Sequence, residues 1–217
     1  MSSHGLASLG ALLRIVLLIF VGTCAMLILM QLTALAVPDL MLSSSAAIIG
    51  FAAWGLGIIQ LLVFLAAIVL VALWVHAAHS HLHDSRVQGL NYQPGWATAS
   101  FFIPFINLYV PFASTRELYN RSHGESDWHA AIPAGDVTSW AACNWAALLM
   151  FSVIVGYVFV DSIQFVHVIM PIWGWLGLSI LLYTFLAGSA WYLAQIVTKV
   201  TYAQVNGAHQ SQSDVFA

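Results

Sequence analysis

Residues 46–76 read AAIIGFAAWGLGIIQLLVFLAAIVLVALWVH, with no acidic, lysine or arginine side chain anywhere in the run. About 20 apolar residues, rising about 1.5 Å each, are enough to cross the roughly 30 Å hydrocarbon core of a bilayer. Backbone amides inside that core have no water to bond, so a helix, which bonds its own amides, is the conformation available to a single segment. The stretch is therefore expected to be a transmembrane helix. Three others repeat the pattern: Leu12 to Val37, closed by Pro38-Asp39; Ser139 to Val160, closed by Asp161; and Met170 to Val197, closed by Lys199. The first resembles a signal peptide in carrying Arg14 and an Ala34-Leu35-Ala36 sequence, but its apolar run far exceeds the 7–15 residues of a signal core, which favours an uncleaved span.

Composition agrees. The chain has 217 residues, 61% hydrophobic and 6% charged, whereas soluble domains carry about 25% charged residues. With five lysines and arginines there is no basic patch for nucleic acid. Cys24 and Cys143 both fall in apolar segments and are expected to be unpaired. Aromatic pairs mark the membrane edges: Trp54 with Trp74, Trp140 with Tyr157, and Trp173 with Trp191.

Four spans place Arg14, Arg86, Arg116, Arg121 and Lys199 on one side, which the positive-inside rule makes cytoplasmic. The expected protein is an all-α, polytopic transmembrane helical bundle of the inner (plasma) membrane with both termini in the cytoplasm. It forms one membrane domain over residues 1–205. The short 38–45 and 161–168 loops face outward, and a disordered tail follows over 206–217.

The cytoplasmic segment between spans two and three includes WATASFFIPFINLYVPF, residues 96–112. Pro104 and Pro111 remove backbone donors and disfavour helix in the residues before them. An interfacial or re-entrant segment over about 96–120 is expected in place of a fifth span. Asn107, between the prolines, is a candidate to bond backbone groups freed by the breaks.

The elements Pro94-Gly95-Trp96, Phe102-Ile103-Pro104, Asn107-Leu108, Pro111 and Arg116-Glu117-Leu118 resemble a bacterial membrane family designated only as domain of unknown function 4328. The resemblance covers roughly Trp74 to Trp128. It implies a small multi-helix membrane protein with a proline-broken block between its second and third spans, and it implies no activity. His76 and His79 stand where that family commonly has an arginine and an asparagine.

Two groups of residues are candidates for function. Pro94, Gly95, Trp96, Pro104, Asn107, Pro111, Arg116, Glu117 and Arg121 form the interfacial block. Arg116 and Arg121 are placed to meet lipid phosphate, and Glu117 and Arg121 are spaced for an ordinary solvated i,i+4 pair. The second group lies in WVHAAHSHLHD, residues 74–84, where His76, His79 and His83 share a helix face with Asp84 beside them. Imidazole ligates transition metals, so a metal or haem site is the alternative to three merely interfacial histidines. His123 and His129 are further nitrogens that the fold can bring near.

Gln60 and Asn144 are expected to join helices by hydrogen bonds. No acidic or basic residue lies well inside a span, which argues against an ion-coupled transporter. No nucleophile elbow, phosphate loop or Cys-x-x-Cys motif occurs. The expected function is a non-enzymatic accessory, scaffold or lipid-interacting module. Its partners are the lipid bilayer and other membrane subunits or a second copy of the chain, with no cofactor firmly implied.

Overall fold

The computed structural model describes residues 3–37, 39, 46–125, 134–163 and 170–207. The 38–45 and 161–168 loops, most of the tail and His129 lie wholly or partly outside these. Four long helices dominate: α1 (Ser3–Ala36), α2 (Ala46–Asp84), α5 (Gly135–Asp161) and α6 (Ile172–Val205). All six prolines fall outside them, so no ladder is interrupted. Between α2 and α5 come α3 (Pro94–Ala99), a 3₁₀ turn (Ile106–Leu108) and α4 (Val110–Ser122). The four long helices are all apolar and long enough to span a membrane, and this is an integral membrane protein of the all-α class.

The helices pack in a row, α2–α1–α6–α5. In lipid no hydrophobic force draws helices together, so close approach and buried hydrogen bonds must do so. Gly10 of α1 lies so close to α6 that a Cβ there would come within 2.7 Å of Thr201 Oγ1. That same hydroxyl accepts the Trp74 indole N–H at 3.0 Å, tying α2 into the crossing. Deeper in the row, Gln60 of α2 donates to Cys24 Sγ at 3.0 Å and accepts from the Thr23 hydroxyl, as expected of a membrane amide that joins helices. Both cysteines are free thiols.

The outward surface is apolar, with Phe51 78%, Trp54 72% and Phe159 67% exposed. So extensive an apolar surface suits lipid contact and would drive a soluble monomer to aggregate. The aromatic-edge reading fails for two of its residues. Trp74 is fully buried and hydrogen-bonded, and Trp140 is buried beneath Phe101 and Phe112. Indoles that find a partner inside the protein gain more there than at the interface.

The helices outlast the bilayer. At about 1.5 Å per residue, the 34 residues of α1 and of α6 run about 51 Å, and the 39 of α2 about 58 Å. The spans expected at 12–37, 46–76 and 170–197 are therefore only parts of longer helices. The start of α1 and the ends of α2 and α6 meet at one end of the row, through Gly10–Thr201, Trp74–Thr201 and Ala78–Gln204. The start of α5 joins them through the Lys199–Asp136 ion pair, 2.5 Å. Both termini of the described chain thus share an end of the bundle with the α2–α5 connection.

Candidate functional site

The connection from 85 to 125 is folded onto that end, not extended across it. After α2 the chain turns through Arg86 (φ 56°) and Gly89 (φ 73°). Pro94 sits in the first turn of α3, and Pro111 in the first turn of α4. There the missing N–H would have had no intrahelical partner anyway. Pro111 therefore opens a helix, whereas the sequence had suggested an interruption. The interruption itself falls at 100–109 around Pro104. It is closed by backbone bonds: Ile106 N–H to Pro104 O, 2.9 Å; Asn107 N–H to Ile103 O, 2.9 Å; Leu108 N–H to Phe105 O, 3.2 Å. The Asn107 side chain is exposed and makes no hydrogen bond among the described residues, so stitching the break is done by main chain.

Glu117 is the anchor of the segment. It is completely buried and its two carboxylate oxygens accept the backbone N–H groups of Asn91, 2.5 Å, and Tyr92, 3.1 Å. The solvated pair expected of Glu117 and Arg121 is not what forms. Arg121 instead donates to the carbonyls of Gly89, 2.8 Å, and Glu125, 3.3 Å. Together the two side chains of α4 clamp the 89–92 linker, which is why α3 and α4 stay docked. Burial raises the Glu117 pKa, and this is partly offset by the Asn91 and Tyr92 N–H groups and by the nearby Arg121 and His83 side chains.

Behind this clamp lies a buried polar layer between α2, α4 and α6. Gln204 donates to Ser122 Oγ, 2.8 Å, and to the Ala78 carbonyl, 3.2 Å, while Ser122 donates to the Leu118 carbonyl, 2.6 Å. Neighbouring Ser114, Thr115 and Asn120 on α4 are also buried. Sequence reading missed this layer. The small polar residues of α4 were its signal, but which of them face inward is decided by the docking itself.

The histidines do not share one environment. His76 is exposed, His79 is fully buried, and His83 is half-buried with Nδ1 donating to the His79 carbonyl at 2.9 Å. Asp84 is exposed. Among the described residues no group of three histidine, cysteine or acidic side chains is arranged to hold a metal. His123 donates through Nδ1 to the Tyr119 carbonyl, 2.7 Å. Nor are all three histidines interfacial, since His79 is fully buried in a packed position.

The outer face of the segment is aromatic. Phe105, held at φ 66°, is 87% exposed; Tyr109 is 64% and Phe102 59% exposed, with Trp96 on the same segment at 45%. Gly95 is also exposed. A phenylalanine at positive φ is uncommon and costs energy, so the fold spends strain to present this ring outward. On the inner side Phe112 packs on Trp140, with centroids 4.8 Å apart, and on Trp145, 6.4 Å.

The family model described as domain of unknown function (DUF4328) matches residues 42–202, and the chain belongs to that family. No curated protein and no solved structure matches. The matched region takes in α2 through most of α6, including every element of the docked segment.

Proposed function

We propose that the chain is a non-enzymatic integral membrane module whose docked 94–122 segment engages the lipid interface on the cytoplasmic side of the inner (plasma) membrane. The observation that carries this reading is the exposed aromatic group of Phe102, Phe105 and Tyr109 on a segment anchored at the bundle end. Aromatic rings of this kind gain free energy at the headgroup boundary and lose it in bulk water. Orientation rests on the five basic residues, all in or beside that end of the row. The absence of recognisable catalytic motifs in the sequence supports a scaffold or accessory role over chemistry.

A nitroxide at position 105 tests this. With Cys24→Ser and Cys143→Ser as background, Phe105→Cys is labelled and the protein reconstituted into vesicles. The label is expected to collide readily with oxygen and poorly with a water-soluble nickel chelate. A second label at Gln88, an exposed linker residue, is expected to show the reverse. Chelate accessibility at 105 equal to that at 88 would place the aromatic face in water and end the proposal.

A further inference from the structure

We propose that the Arg116 guanidinium binds the phosphate of an anionic phospholipid at the junction of α4 with the start of α5. The inference deepens the interfacial reading above and rests on it. Two arginines on α4 had equal claim from sequence, and the structure separates them. Arg121 is occupied by the carbonyls of Gly89 and Glu125. Arg116 is half-buried, with Nε enclosed, and its guanidinium has no hydrogen-bond or ion-pair partner among the described residues.

Two acids of the described docked end are already engaged. Glu117 accepts from the linker amides, and Asp136, one turn before Trp140 on α5, pairs with Lys199 at 2.5 Å. Among the described residues Arg116 is thus a partly buried cation without a partner, an arrangement that is costly unless an anion completes it. The planar fork of arginine matches two phosphate oxygens.

Position selects a lipid over free phosphate. Phe112 lies one helical turn before Arg116, on the same face of α4. Its ring touches Trp140 and Trp145, and Trp145 is 55% exposed on the apolar surface of α5. An anion at Arg116 that carries acyl chains can lay them along that surface, which inorganic phosphate cannot do.

Native mass spectrometry of the full chain, released from a neutral detergent containing equal phosphatidylglycerol and phosphatidylcholine, reads the preference directly. The wild type is expected to retain phosphatidylglycerol. Arg116→Gln is expected to lower that retention about tenfold at an unchanged melting temperature, and Arg86→Gln to leave it unchanged. Millimolar inorganic phosphate is expected not to displace the lipid; displacement would assign the site to free phosphate and overturn the lipid claim. Undiminished retention in Arg116→Gln would overturn the proposal outright. If that variant does not fold, Arg116→Lys, which keeps charge and loses the fork, is expected to lose retention severalfold, and wild-type retention there overturns it equally. A lipid-exposed label at 105 together with an arginine-independent preference would sink this inference alone; a water-exposed label would sink the reading beneath it.

Discussion

Gly10→Leu is expected to destabilise the protein by about 2–3 kcal/mol, seen as a large fall in its detergent melting temperature. Overpacking a tight contact costs about that much because neighbours must leave their rotamers or the helices must part. At Gly10 the first added carbon already meets Thr201 Oγ1 at 2.7 Å. The threonine cannot simply rotate away, since its hydroxyl accepts the Trp74 indole and the move would strand that buried donor. The control lies in the same helix. At Gly22 an added Cβ meets nothing within 4 Å, so Gly22→Leu is expected to be neutral or slightly stabilising through helix propensity. Equal melting temperatures for the two variants would mean that α1 and α6 do not cross as described.

Glu117→Ala is expected to cost about 3 kcal/mol and to free the 87–93 linker for proteolysis or amide exchange. The change leaves two backbone N–H groups, Asn91 and Tyr92, without their acceptor, and each such orphan costs about 1–3 kcal/mol. Glu117→Gln keeps one acceptor oxygen and is expected to lose roughly half as much. The variant also isolates a pH effect. The folded-state pKa of Glu117 lies above its unfolded value because burial disfavours the charged form. The folded chain therefore holds the proton over a window where the unfolded chain has released it. This contribution to stability is present below the unfolded pKa and declines as pH rises through the folded one. Subtracting the Glu117→Gln profile from that of the wild type should leave a stability difference that falls as pH rises above the ordinary carboxylate range. Protection of the linker amides unchanged in Glu117→Ala would show that the clamp is not what docks the segment.

The long helices were legible because the bilayer imposes length and composition at once, and the Ala46–His76 run meets both conditions without tertiary help. The broken middle was legible for a related reason, since proline acts locally. Whether a proline stops a helix or starts one depends on where the next turn of helix begins, so the break around Pro104 was legible while Pro111, which opens α4, was given the wrong role. Trp74, Glu117 and His79 were misread because a residue type favoured at the surface says nothing of what will be packed over it. Glu117 with Arg121 has ordinary i,i+4 spacing. Only the return of the 89–92 linker across α4 turns that pair into a clamp. Gly10 carried no signal at all, since its partner Thr201 lies at the far end of the chain and at several other glycines, Gly57 among them, an added Cβ would meet nothing within 4 Å.

Site-directed accessibility tests the central arrangement, four crossings with the docked segment and both ends of the chain on one side. In the Cys24→Ser, Cys143→Ser background, single cysteines are placed at Gln88 and Asn206, both exposed near the docked end, and at Ile163, just past α5 at the opposite end. A membrane-impermeant maleimide applied to intact cells should label position 163 and leave 88 and 206 protected until the membrane is opened. Labelling of 206 with protection of 88 would put the two on opposite sides, which requires an odd number of crossings between them and contradicts the four-helix arrangement.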